Sequence, residues 1–148
     1  MFYTESVTLS TCGIQFQLPN GFLLLESEEP HVNSTLTLRA PDGSYSIIIS
    51  QDRSERTSAD ELRSILSEGG YSVLSPISPF TQNGISGHSA AYLSGKGGYW
   101  ELRLDVPDVK PDEPNTLVIQ LSTHWGRGIL TFMNAQPLQF LLKSIQLL

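Results

Sequence analysis

The stretch that decides the fold is residues 87–106, GHSAAYLSGKGGYWELRLDV. Apolar side chains occupy every second position of its latter half: Trp100, Leu102, Leu104 and Val106. The positions between them carry Tyr99, Glu101, Arg103 and Asp105. Alternation with a period of two is typical of a strand with one dry face and one wetter face. With a second strand over residues 89–94 and a glycine-rich turn at 95–98, the stretch predicts a β-hairpin at the centre of an antiparallel sheet.

Further turns and strands lie on both sides of this hairpin. Pro41-Asp42-Gly43 separates two alternating runs and predicts a second hairpin. Pro19-Asn20-Gly21 predicts a tight turn between two earlier strands. We also expect strands over residues 71–77, where Pro76 and Pro79 end the run, and over residues 115–125.

Two segments have the apolar spacing of a helix rather than of a strand. Residues 58–68 follow this spacing with Leu62, Ile65 and Leu66. Ser58 and Glu61 match a capping box at the start of that segment. Residues 136–146 repeat the spacing with Leu138, Leu141, Leu142 and Ile145. We therefore predict a single α+β domain over residues 1–148, with a twisted, largely antiparallel sheet of about seven strands and two helices packed on it.

Composition narrows the classes of partner. The chain has 148 residues and a net charge of −6, and its nine basic residues are scattered along the sequence. Without a basic stripe we expect no nucleic-acid ligand, and without a long apolar run we expect no membrane span. Cys12 is the single cysteine, which predicts a free thiol and a cytoplasmic location.

The sharpest catalytic candidate is Ser89 in the run Gly87-His88-Ser89. Asp105 or Asp108 and then His124 follow it, in the Ser–Asp–His order of α/β-hydrolases. That elbow needs a helix after the serine, whereas here a turn and another strand follow. We therefore predict that Ser89 lies on the solvent side of a strand, that Gly87 is a turn or bulge, and that the protein has no enzymatic activity.

Other ligand signals are weak. His31, His88 and His124 come from distant segments with no metal-ligand spacing, and the acids lack a calcium-loop pattern. The glycines at residues 95–98 do not match a phosphate-binding loop. We expect neither a metal nor a cofactor.

The order of elements resembles the PsbP-like fold, which includes the Ran-binding nuclear import factor, DcrB-like bacterial proteins and EagR-type chaperones. The resemblance is carried by the FQLPNGF entry at residues 16–22, the strand at 44–50, the capped helix from 58, the hairpin at 87–106 and the closing helix with Phe140, Leu141 and Ile145. It implies an α/β/α sandwich around a twisted antiparallel sheet, and binding rather than catalysis.

The resulting hypothesis is a cytoplasmic, non-enzymatic protein-binding module, an adaptor or chaperone that can form a homodimer. The candidate partner-binding residues are Tyr92, Tyr99, Glu101, Arg103 and Phe140. Two alternatives remain open at this point: a small serine hydrolase using Ser89 and His124, and a small-ligand carrier with a pocket under the C-terminal helix.

Overall fold

The computed structural model describes residues 3–9, 14–19, 21–25, 35–95, 97–107 and 109–147. Its strands are β1 (Tyr3–Leu9), β2 (Ile14–Pro19), β3 (Leu23–Leu25), β4 (Leu36–Arg39), β5 (Ser46–Asp52), β6 (Ser72–Gln82), β7 (Ile85–Ser94), β8 (Gly97–Asp105), β9 (Thr116–Thr123) and β10 (Gln146–Leu147). Its helices are α1 (Ser58–Glu68), α2 (Ile129–Phe132) and α3 (Gln136–Ser144). Seven strands form one antiparallel sheet in the order β3-β4-β5-β9-β8-β7-β6, so the α+β class is confirmed.

The hairpin of β7 and β8 lies inside this sheet, as the alternation predicted. Ser94 pairs with Gly97, so the turn has two residues, Gly95 and Lys96, rather than the four at 95–98. Lys96 itself lies outside the described residues. Gly97 and Gly98 belong to β8, because a tight two-residue turn lets the strands pair right up to its ends.

The Trp100 face of the sheet is the hydrophobic core. Trp100, Leu102, Leu104 and Val106 are all buried there. The core also includes the stripe of α3, Leu138, Leu141, Leu142 and Ile145. Helix α1 packs on the other face, mainly against β7 and its neighbours β6 and β8. The layers are therefore α1, the sheet, and α3, which is the predicted sandwich.

A small second sheet accompanies α3, and the sequence did not indicate it. Strand β2 pairs with β1 and β10 in this three-stranded sheet, whereas β3 belongs to the seven-stranded one. The two strands that flank Pro19-Asn20-Gly21 therefore do not pair with each other. Phe16 on β2 is fully buried in the core, which ties the small sheet to the large one.

The prolines at 76 and 79 do not end a strand, because β6 runs through both of them to Gln82. β6 is the edge strand of the sheet, where a missing N–H leaves no partner unsatisfied. Register shifts near Ser75 and Ser78 absorb the irregularity. β6 then turns into β7 through Asn83 and Gly84, both with positive φ.

Helix α1 begins where predicted, but its cap is one residue earlier. The N-cap is Thr57, whose side chain accepts a hydrogen bond from the Asp60 amide. The Glu61 carboxylate does not reach back to Ser58 as a capping box would. Instead it accepts a hydrogen bond of 2.7 Å from the Ser54 hydroxyl, while Ser58 bonds to the sheet.

Gly87 is a regular strand residue of β7, so the predicted turn or bulge at this position is wrong. Because glycine has no side chain, β7 and β8 can approach closely here. A Cβ atom at this position would collide with the carbonyl oxygen of Arg103 and lie 2.9 Å from the Leu104 Cα. Both obstacles are backbone of the interior strand β8, so neither can move without disturbing the sheet.

We expect Gly87→Ala to lower the free energy of unfolding by about 2–3 kcal/mol, the cost of overpacking a tight site. Chemical denaturation of the purified variant measures this. Ser86→Ala is the matched control, because Ser86 is the exposed neighbour on the same strand. If the two variants are equally stable, the close approach at Gly87 is not a constraint.

Candidate functional site

On the face of the sheet that packs against α1, residues of neighbouring strands pair in a row that runs across the sheet. Arg39 pairs with Ser46, and Ser46 with Ser122. Ser122 pairs with Tyr99, and Tyr99 with Tyr92. We call these five residues the first row. The first row crosses five strands near the end of the sheet at which β9 leads into the turn with Trp125. Among the described residues, α1 does not pack on β4, β5 or β9.

A cleft of about 430 Å³ lies over this row. Its lining is Arg39, Gly43, Ser44, Tyr45, Ser46, Gly97, Tyr99, Ser122, Thr123 and His124. The lining holds an arginine, a histidine and several hydroxyls, and it contains no Asp or Glu. Asp42, the neighbour of Gly43, has its carboxylate occupied by the turn: it accepts from the Ser44 amide at 3.0 Å and the Ser44 hydroxyl at 2.6 Å. The Ser44 hydroxyl bond is the main reason that the pKa of Asp42 lies below its ordinary value.

Tyr99, which lines the cleft, belongs to a stack of three tyrosines. The rings of Tyr71 and Tyr92 stack at 4.8 Å, and those of Tyr92 and Tyr99 at 5.4 Å. Tyr71 follows the end of α1, so the stack joins that helix to the cleft. Burial is the main cause that raises the pKa of Tyr92, and the nearby Glu101 carboxylate adds to it. Through Tyr92, which is 4% exposed, the stack is anchored in the buried part of this face.

Trp125 stands beside the cleft, next to His124, and its side chain is 66% exposed. Aromatic rings continue from it into the core: Trp125 stacks on Phe132 at 6.4 Å, and Phe132 on Tyr45 at 4.4 Å. The following turn sits directly on the sheet, since a Cβ atom on Gly98 would collide with the Gly126 carbonyl. The exposed indole is thus held on a rigid support.

Glu101 and Arg103 form a buried ion pair in the middle of the same face. Arg103 Nε donates to Glu101 Oε2 at 2.7 Å, and Glu101 is only 4% exposed. Gln120 Nε2 donates to the other carboxylate oxygen at 3.1 Å, and the Tyr92 hydroxyl lies 3.4 Å from it. Three of the predicted partner-binding residues, Tyr92, Glu101 and Arg103, therefore interact with one another. Tyr99 is the member of the predicted set that lines the cleft.

Ser58 joins α1 to the sheet at the far end of this face. Its hydroxyl lies 2.7 Å from Asp105 Oδ2 and 2.8 Å from His88 Nδ1, and its amide donates to Asp105 Oδ1 at 3.1 Å. A serine has one proton, so if Asp105 accepts it, His88 must donate through Nδ1–H. This order is the reverse of a catalytic triad, where the serine gives its proton to the histidine. Ser58 is 2% exposed and acts as a structural link that the sequence did not indicate.

The structure does not bring Ser89 and His124 together. Ser89 pairs with the buried Leu102 and therefore lies on the core face of the sheet, so the prediction that it lies on the solvent side is wrong. His124 lines the cleft on the opposite face, just after Thr123, which pairs with Gly98. Four residues of β8 separate the two register positions, roughly 13 Å at the rise of a strand. Asp105 bonds to Ser58, and Asp108 lies outside the described residues.

The space under α3 is filled rather than open. Leu138, Leu141 and Ile145 are fully buried there against the sheet. Phe140 lies on the outward side of α3, where it lines a shallow depression of about 200 Å³ with Gln136, Gln139 and Lys143. Phe140 is therefore on the opposite side of the molecule from the other four predicted partner-binding residues.

Within the part of the chain that the structure describes, no three His, Cys, Asp or Glu side chains lie close enough to hold a metal ion. Cys12 and His31 lie outside that part. No helix among the described residues is long and apolar enough to cross a membrane.

Comparison with solved structures supports the layer order. The solution structure of cyanobacterial PsbP (CyanoP) from Synechocystis sp. PCC 6803 superposes with a TM-score of 0.57 at 12% sequence identity. The match covers 100% of this chain and 94% of the PsbP chain. Neither the known family models nor the curated proteins contain a match to this sequence. The chain therefore has a PsbP-like fold, and at this identity the likeness concerns the fold alone.

We expect Arg103→Met to destabilise the protein by about 3 kcal/mol or more, because it leaves Glu101 buried without its cation. Replacing both members, Glu101→Leu with Arg103→Met, is expected to recover most of that loss. Chemical denaturation of the two single variants and the double variant measures the coupling. A loss in the double variant equal to the sum of the two single losses would show that the pair is not coupled.

Tyr45 gives a prediction at alkaline pH. Burial, with a smaller effect of Asp42, raises the pKa of Tyr45 from its ordinary 10.0 to about 12. A raised pKa in the folded state adds stability that is complete below about pH 10 and is lost as the pH rises through the folded value. We expect the free energy of unfolding to fall between pH 10 and 12, and to fall less steeply in Tyr45→Phe. Equal slopes for the two proteins would contradict this.

Proposed function

We propose that this protein is a non-enzymatic binding module that recognises another protein through the cleft and the Trp125 beside it. The observation that carries the proposal is the exposed indole of Trp125, 66% accessible on a rigid aromatic support. Tryptophan, tyrosine and arginine contribute most to the energy of protein interfaces. Tyr99 and Arg39 line the cleft, and Trp125 directly follows His124 of the same lining.

The rigidity of the site supports binding. Tyr99 is fixed by its stack on Tyr92, and Trp125 by Phe132. Side chains that are already ordered lose less conformational entropy when a partner binds, so more of the contact energy appears as affinity. The site therefore suits recognition without rearrangement of the sheet.

The same proposal includes a role as an adaptor or chaperone in the cytoplasm, with a second copy of the chain as one possible partner. The single cysteine, which allows no disulfide within this chain, supports a reducing compartment. The PsbP-like fold supports binding over catalysis only by analogy. The Tyr99 side of β8, rather than Phe140, is the surface that we assign to the partner.

We expect Trp125→Ser to abolish retention of the partner when the purified protein is used as bait in lysate of its own organism. Loss of one central aromatic anchor typically costs 2 kcal/mol or more, roughly thirtyfold in affinity. The measurement is quantitative mass spectrometry of the retained proteins, and sedimentation of the pure protein reports self-association.

Val73→Ser is the control, because Val73 is an exposed apolar residue, 51% accessible, on the edge strand β6. It pairs with Tyr92 on the same face of the sheet but does not line the cleft. Proteins retained by the wild type and by Val73→Ser, and lost with Trp125→Ser, support the proposal. The same retained set for all three forms, or no retained protein and no self-association, contradicts it.

A further inference from the structure

We propose that the segment recognised in the cleft is an acidic peptide, which places a glutamate or aspartate carboxylate against Arg39 and His124. This inference rests on the proposed function and adds the chemistry of the partner. It comes from the charges of the cleft, which differ from those of the chain as a whole. The chain carries 15 acidic and 9 basic residues, yet the cleft lining contains an arginine and a histidine without any acid.

Five polar side chains of the cleft lining are free to bond to a ligand. Among the described residues, the Arg39 guanidinium and the His124 ring have no hydrogen bond or ion pair, and neither do the Ser46, Ser122 and Tyr99 hydroxyls. Arginine offers only donors, and the three hydroxyls can donate as well. A cluster dominated by donors, with no carboxylate of its own, is complementary to a carboxylate, and an arginine binds that group through two parallel hydrogen bonds.

The apolar residues at the border of the cleft favour a peptide over a free anion. Leu23 pairs with Arg39 and is 57% exposed, and Trp125, which follows His124 of the lining, is 66% exposed. A small oxyanion would use only the donors and leave both apolar groups in water. A peptide with a carboxylate beside an apolar side chain would use the donors and cover an apolar border residue as well.

The test uses two acetylated and amidated hexapeptides with the full-length protein. One contains two adjacent glutamates and a phenylalanine, and in the other both glutamates are replaced by glutamine. Binding is followed by ¹⁵N–¹H NMR at constant ionic strength, and inorganic phosphate is titrated in parallel. We expect saturable shifts at Ser46, Gly97, Ser122 and His124 with the glutamate peptide, and affinity at least roughly tenfold lower for the glutamine peptide.

Arg39→Gln is expected to weaken binding of the glutamate peptide by roughly tenfold, the loss typical of one charge-assisted hydrogen bond. Arg56→Gln is the matched control, since it removes the same charge from an exposed position in the loop before α1. A loss common to both variants would show only an effect of net charge and would overturn the proposal.

Three further results would also overturn it: equal affinity for the two peptides, shifts that map away from the cleft, or phosphate binding at least as tight as the glutamate peptide. The last result would assign the cleft to a small oxyanion. The proposed function is tested separately. If a partner is lost with Trp125→Ser but retained with Arg39→Gln, the binding role stands and only the acidic nature of the recognised segment is contradicted.

Discussion

The apolar face of β8 must be covered by a second layer, and the rest of the fold follows from this requirement. Leu102 and Leu104 are fully buried at the centre of the sheet, and the stripe of α3 lies in the same core. The small sheet of β1, β2 and β10 continues that layer, since Phe16 is buried with them. Because the core lies on this side of the sheet, the polar residues of β8 lie on the opposite face. Helix α1 covers that face only over β6, β7 and β8.

The polar face is consequently divided into a covered and an open part. Under and beside α1, the burial of Glu101 is offset by Arg103 and Gln120, and Ser58 fastens the helix to Asp105. A buried carboxylate without such partners would cost several kcal/mol, which is comparable to the whole free energy of unfolding of a small domain. Polar residues here stabilise the position of α1. Among the described residues α1 does not pack on β4, β5 or β9, so the polar side chains of Arg39, Ser46 and Ser122 remain available beyond the tyrosine stack.

Local patterns predicted the elements whose periodicity is strong, and they failed where long-range pairing decides. The β7–β8 hairpin, the Pro41-Asp42-Gly43 hairpin and α1 could be predicted because each carries its signal within a few residues. β10 could not, because a strand of two residues has no periodicity and exists only by pairing with β2. β6 was predicted too short, because prolines end central strands but not edge strands, and the sequence does not say which strand is an edge.

The same limit applies to the site. Alternation alone placed Tyr99, Glu101 and Arg103 on one face, but burial then divided them between an internal network and the cleft. Arg39, Ser122 and Tyr99 are distant in sequence and meet only through the register of four antiparallel strands. A shift of one residue in any pairing would turn all the side chains of the shifted strand to the opposite face and break the row. Because the buried core face fixes that register, the interior of the sheet determines which side chains line the cleft.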